Sequence, residues 1–184
     1  MNIRVISGEF GGRVLDAPRG RTTHPMGERI RNALFNSIQA EIPGADVLDV
    51  FAGTGALGLE ALSRGANSAL FVEKNRLAQK IISKNIEALK LDEERARLYR
   101  TTASSWYGAH KDMQFDIIFV DPPYYDINRH LSTVEKILGL LKPGALMVLS
   151  RPGKCEELVV NNGVVVVDNR SYGDATLTFY RRKA

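Results

Sequence analysis

The chain has 184 residues, 44% of them hydrophobic and 25% charged, which fits one ordinary globular domain with a normal core. No apolar run approaches the roughly 20 residues that span a bilayer, and Met1-Asn2-Ile3-Arg4 lacks a signal-peptide pattern. A cytoplasmic location without membrane contact is therefore expected. The one cysteine, Cys155, excludes an intrachain disulfide and a cysteine-cluster metal site, and His24, His110 and His130 are too dispersed for a zinc signature, so no metal is expected. The net charge of +4 is unevenly spread. Residues 1–31 carry Arg4, Arg13, Arg19, Arg21, Arg29 and Arg31 against Glu9, Asp16 and Glu28, and the tail adds Arg181, Arg182 and Lys183. Arginine clusters of this kind suit phosphate, although ordinary solubilising charge has the same composition.

In chain order, residues 3–17 alternate weakly around Gly8, Gly11 and Gly12 and read as a short β-hairpin or arm. Pro18, Gly20, Pro25 and Gly27 mark a loop. A helix is predicted over 28–41, with Ile30, Leu34, Phe35 and Ile38 on one face, stopped by Pro43-Gly44. This divides the chain into a small basic N-terminal arm, 1–27, and a main domain, 28–184. From Val47 onward, strands are predicted at 47–51, 69–73, 97–101, 116–121, 145–150, 163–168 and 175–181. Helices are predicted between them at 56–64, 75–90, 104–110 and 128–141, with a short piece near 154–158. Alternating strands and helices predict an α/β, Rossmann-like, mostly parallel seven-stranded sheet. The last two strands have no helix between them and predict a C-terminal antiparallel hairpin. That hairpin distinguishes the sheet from a plain dinucleotide-binding one.

The first strand of this series runs into Gly53-Thr54-Gly55-Ala56-Leu57-Gly58, a G-x-G-x-x-G turn that opens a helix. Such a turn lets a ligand approach the backbone, while the helix N-terminus offers free N–H groups and positive potential. The pattern is shared by enzymes that bind NAD and enzymes that bind S-adenosylmethionine. Glu73 closes the next strand, where an acid can accept both ribose hydroxyls or simply face water. Asp49 lies inside the first strand and can anchor the loop or, through water, hold the ammonium of a methionine moiety. An NAD site has no cation to neutralise there, which favours S-adenosylmethionine.

Asp121-Pro122-Pro123-Tyr124 follows the apolar strand Asp116-Ile117-Ile118-Phe119-Val120. An exocyclic amine on a nucleobase is a poor nucleophile because its lone pair is delocalised. Acceptors for both of its N–H groups direct that lone pair at the methyl. Asp121 supplies one acceptor, and the Pro122 carbonyl, stiffened by consecutive prolines, supplies another. Tyr124 offers a face for stacking, worth about 1–3 kcal/mol. In-line transfer is then a matter of positioning, and it needs no metal. Tyr125, Asp126 and Arg129 line the rim or begin a solvated helix. Met113, Phe115, Phe119 and Met147 read as core, Trp106 and Tyr107 as surface packing beyond the third strand, and Cys155 as an inert thiol.

With these residues in hand, the chain resembles the RsmD-type methyltransferases over essentially its full length. The likeness runs through Arg4-Val5-Ile6-Ser7-Gly8, Gly12-Arg13, the helix from Arg29 to Asn36, Asp49 to Gly65, Phe71-Val72-Glu73, Asp121 to Tyr124 and Tyr172-Gly173-Asp174. The resemblance implies a class I S-adenosylmethionine-dependent methyltransferase that modifies a guanine N2 in 16S ribosomal RNA. It implies cofactor binding by Asp49 and Glu73, by the loop of Phe51, Ala52, Gly53, Thr54 and Gly55, and by Ala103. It implies catalysis by Asp121, Pro122 and Tyr124. Ribosomal RNA, in an assembling small subunit or free, is the implied partner, with contacts from Arg4, Arg13, Arg19 and Arg21. Those arginines sit among glycines and prolines, so the arm is expected to be mobile until it meets RNA. Two stretches depart from the family pattern: His24-Pro25-Met26-Gly27-Glu28 stands where Thr-Thr-Asp is common, and Thr102 where an Asp or Asn often precedes the alanine. The competing readings are methyl transfer to adenine N6 or cytosine N4, an NAD-dependent oxidoreductase, and a non-catalytic RNA-binding module.

Overall fold

The arm forms β1 (Ile3–Arg4) and β2 (Val14–Leu15), which pair antiparallel with Ile3 opposite Leu15. The computed structural model describes residues 2–19, 26–153, 157–160 and 163–184. Helix α1 (Glu28–Ser37) follows, extended by a 3-10 turn over Gln39–Glu41 that accounts for the longer helix expected from sequence. Then come β3 (Asp46–Val50), α2 (Ala56–Ser63), β4 (Ser68–Val72), α3 (Arg76–Ala88), β5 (Ala96–Tyr99) and α4 (Ala103–Ala109). The chain continues through β6 (Phe115–Val120), α5 (Ile127–Leu138), β7 (Leu141–Pro152), β8 (Val164–Tyr172) and β9 (Ala175–Arg182). Strand β7 begins earlier than its predicted start because Leu141 pairs with Phe115 across a register shift. Glu157 and Leu158, within the short helix expected near 154–158, are not helical, and the rest of that piece lies outside the described residues.

The large sheet runs β5-β4-β3-β6-β7-β9-β8, parallel except for β9, which is antiparallel to both neighbours. Its central strands are mostly apolar because both faces are covered, with Asp49 the buried exception in β3. Val47, Ile117, Phe119, Leu146 and Val148 join the core that also holds Leu34 and Phe35 of α1, Leu59 and Leu62 of α2 and Ile82 of α3. Their neighbours in sequence, Leu48, Ile118, Val120, Met147 and Leu149, join the opposite core with Trp106 of α4 and Val134 and Ile137 of α5. Strand periodicity thus assigns each residue to one of two helical layers. Trp106 is 1% exposed and stacks on His110 at 4.8 Å between ring centroids, so it is core and not the surface residue expected. Among the described residues, no helix is long and apolar enough to cross a membrane.

The arm is also part of the core, against the expectation of a mobile extension. Ile3, Val5, Phe10 and Leu15 are buried with α1 and α2. The buried Glu60 carboxylate of α2 accepts the Ile6 and Ser7 N–H groups at 2.8 and 3.1 Å, and also Arg64 Nε at 2.8 Å. Ser63 Oγ accepts Phe10 N–H at 2.9 Å and donates to the Ser7 carbonyl at 2.6 Å. Gly8, at φ +88°, lies so close to α2 that a Cβ there would fall 1.9 Å from the Ser63 carbonyl oxygen. The fully buried Arg31 of α1 donates to the Arg4 carbonyl. The arm's glycines allow close approach to α2, and its spaced apolar residues fill the gap that results.

Candidate active site

Strand β3 ends where its parallel neighbours β4 and β6 end, so the loops after all three converge at one edge of the sheet. Order reverses around β3, since β4 and β5 lie on one side and β6 and β7 on the other. Ligands in such sheets bind at this switch, beyond the carboxyl ends of the strands. Phe51 leaves β3 at φ 59°, a left-handed conformation uncommon for a side chain of that size, and its ring tilts against His130 at 4.9 Å. Gly53 and Gly55 also take positive φ, 58° and 79°. Space beside the Gly53 Cα is open, with no atom within 4 Å of a notional Cβ.

The loop is held from several sides. Gly53 N–H donates to Glu73 Oε2 at 2.8 Å, and Asn75 N–H donates to Glu73 Oε1 at 2.8 Å. Glu73 is therefore a built-in part of the loop and not a freely solvated acid. Asn85 of α3, 2% exposed, donates to the Thr54 carbonyl at 3.1 Å and to the Asp16 carbonyl at 3.2 Å, and accepts Asp16 N–H at 2.8 Å. One buried amide thus ties the arm to the glycine loop. Thr54 Oγ1 accepts Ala56 N–H at 3.3 Å; Ala52 is buried within the loop, and Ala103 is buried at the start of α4. Thr102, the departure from the family pattern, caps α4 by accepting Ser105 N–H at 3.1 Å.

Asp49 is 1% exposed; its Oδ2 accepts Gly58 N–H at 3.0 Å, and its Oδ1 is buried without a hydrogen-bond partner. Burial pushes this carboxyl well above its usual range, the Gly58 bond opposes that, and the nearby Asp121 and Glu73 charges add to it. The loop-anchoring reading of Asp49 is realised through Oδ2, and Oδ1 remains available to a cationic or donor group. The third glycine has a packing role: a Cβ on Gly58 would sit 2.4 Å from the Phe71 ring and 3.2 Å from Asp49 Oδ2. Gly58→Ala is expected to cost about 1–3 kcal/mol of stability, read as a lowered midpoint in denaturant unfolding. An unchanged midpoint would mean that the Phe71 ring swings aside freely.

Asp121 follows β6 beside this loop, its N–H directed at the Val50 carbonyl at 3.4 Å. Burial raises its carboxyl to about 6, and a hydrogen bond from Ser150 opposes that rise. Pro122 is buried, and the Pro123 carbonyl accepts Asp126 N–H at 3.1 Å to close a 3-10 turn over Tyr124–Asp126. The Pro122 carbonyl lies outside that closing bond. Tyr124 is 37% exposed, and its hydroxyl shares a 2.7 Å hydrogen bond with Ser150 Oγ. Ser150, near the end of β7 and 4% exposed, therefore touches both polar groups of the motif. No motif in the sequence marks it. Ser150→Ala should move the midpoint of the pH–rate profile upward from about 6, since the bond that lowers Asp121 is lost. A profile that keeps its midpoint would remove Ser150 from the site.

The structure brings together Asp49, Phe51 to Gly55, Glu73 and Asp121 to Tyr124. Of the arm's arginines, Arg4 and Arg13 have partners outside this cluster. Arg13 donates to the Ala88 carbonyl at the end of α3 at 2.9 Å, Arg4 lies 3.9 Å from Glu28, and Arg19 is exposed. Arg21, with His24 and Pro25, lies outside the described residues, as does Cys155.

The profile of the family described as conserved hypothetical protein 95 matches residues 3–181. YlbH of Bacillus subtilis is 31% identical over 184 residues, covering 98% of this chain and 100% of that protein. Ribosomal RNA small subunit methyltransferase D of Escherichia coli is 42% identical over 122 residues, 66% of this chain and 60% of that one. The solved structure of yhhF from Escherichia coli superposes with a TM-score of 0.87 at 34% identity, covering 100% of this chain and 99% of that one. The chain therefore belongs to the conserved hypothetical protein 95 family, the RsmD family of methyltransferases.

Proposed function

We propose that this protein transfers a methyl group from S-adenosylmethionine to the exocyclic N2 amine of a guanine in small-subunit ribosomal RNA. The observation that carries the reading is the placement of the Asp121–Tyr124 turn against the glycine loop after β3, with carboxylates at Asp49, Glu73 and Asp121 around one sheet edge. The residues fit such a cofactor. Open space at Gly53 admits it, Glu73 faces the loop where a ribose would lie, and the orphaned Asp49 Oδ1 suits an ammonium, directly or through water. When bound, the cofactor supplies an electrophilic methyl on a sulfonium.

The chain's own groups then act on the amine. Tyr124 holds the base against its ring, oriented by Ser150. Asp121 and the Pro122 carbonyl accept the two N–H groups. Held this way, the nitrogen lone pair would face the methyl that a bound cofactor would supply. The amine loses one proton, for which Asp121 is the nearest acceptor. The substrate is RNA within an assembling small subunit or free RNA, and the site of action is the cytoplasm.

Calorimetric titration with S-adenosylmethionine and with NAD tests the cofactor; binding of NAD alone rules the reading out. Mass mapping of ribosomal RNA from cells lacking the protein should show one guanine without its N2 methyl. A missing methyl on adenine N6 or cytosine N4 would instead reassign the substrate.

A further inference from the structure

We propose that Tyr125 and Arg129 form a subsite for the nucleotide next to the target guanine, with its base stacked on Tyr125 and its phosphate against Arg129. This rests on the nucleic-acid reading of the Asp121–Tyr124 site. Among the described residues, the exposed large hydrophobic side chains include just two aromatics, Tyr124 and Tyr125, and they are consecutive. Tyr125 is 89% exposed. A ring left in water on the turn that carries the chemistry gains nothing from the fold itself.

A cavity of about 180 Å³ continues from Tyr124 past this ring, lined by Tyr125, Asp126, Asn128, Arg129 and Pro152. Its polar groups suit a nucleotide. Arg129 is 79% exposed in its side chain, so the guanidinium keeps its donors available for phosphate oxygens. The one carboxylate lining the groove, Asp126, has the His130 ring at 3.3 Å, where burial favours the neutral imidazole, and Arg129 at 4.0 Å, so Arg129 is the cation that offsets it. Tyr124 lines the groove as well, which places the groove beside the turn that carries the chemistry. Two consecutive rings offer two consecutive bases a platform, as in single-strand binding grooves. An extruded guanine also needs an offset for its lost stacking, and a neighbour on Tyr125 supplies one close to the chemistry.

The test uses the full chain with S-adenosylmethionine and small ribosomal subunits, or their RNA, from cells lacking the protein. Tyr125→Ala should raise KM for RNA by about 5- to 100-fold, with kcat at saturating RNA and the S-adenosylmethionine Kd changed less than a few-fold. Tyr125→Phe should restore KM. Tyr125→Trp should be quenched on RNA binding, a signal readable because the natural tryptophan, Trp106, is buried. Arg129→Ala should reduce the magnitude of the salt slope of binding by about 0.7–0.9. If wild type methylates the RNA and Tyr125→Ala keeps its KM within twofold, the subsite is wrong. If wild type methylates no RNA, the function proposed above falls and the subsite falls with it.

Discussion

Replacing Asp121 with alanine is expected to lower kcat for methyl transfer by about a thousandfold or more, while the S-adenosylmethionine Kd shifts no more than a few-fold. The carboxylate addresses the amine, whereas the cofactor loop is held by Glu73, Asn85 and Asp49. Near-normal turnover by Asp121→Ala on a proven substrate would overturn the mechanism. The acceptor works ionised, so the wild-type rate should climb through pH about 6 and level off above it. Stability should run the other way. A carboxyl raised from 3.8 to about 6 by burial leaves the fold unburdened below 3.8 and burdened in full above about 6. Asp121→Asn should therefore raise Tm at pH 8 and leave it nearly unchanged at pH 4, in paired thermal melts. A Tm that falls equally at both pH values would assign the residue a structural role.

Deleting residues 1–17 is expected to abolish cooperative unfolding and S-adenosylmethionine binding together. Ile3, Val5, Phe10 and Leu15 would leave the core, and each large apolar side chain buried contributes about 1.5–3 kcal/mol. Their sum approaches the stability of a whole domain, about 5–15 kcal/mol. The deletion would also leave the Glu60 carboxylate buried with two fewer donors and free Asn85 from Asp16, which helps fix it beneath the glycine loop. A truncated chain that melts cooperatively and binds S-adenosylmethionine normally would show that the arm is dispensable to the fold.

That outcome differs from what the arm's composition suggests, and the reason is physical. Glycines and arginines are read as mobility and phosphate affinity when their partners are out of view. The partner here is α2, whose Glu60 and Ser63 lie more than fifty residues away and present acceptors at the spacing the arm's amides require. Ser150 carries no sequence signal for a related reason, since its meaning comes from register: β7 lies beside β6, which brings one hydroxyl to Asp121 and Tyr124. Trp106 is core because His110, one helical turn on, stacks on it, a contact that its place beyond the third strand does not reveal. The placement of the glycine loop, Asp49 and the Asp121–Tyr124 turn at strand ends was legible because it rests on local backbone geometry. Strand positions were legible because two covered faces leave largely apolar runs, and the C-terminal pairing because no helix separates the last two strands.

The position of β9 between β7 and β8 bears on how the chain is made. Synthesis delivers β8 first, yet among the described residues β8 pairs with β9 alone. Residues 164–172 must therefore wait, unpaired, until residues 175–182 have emerged from the ribosome and zipped against β7. During that interval β7 shows an open edge and β8 exposes a run of valines, Val165, Val166 and Val167. Nascent chains stalled before residue 175 should accordingly recruit chaperones and aggregate on release, whereas chains stalled with residue 182 well clear of the exit tunnel should be protease-resistant.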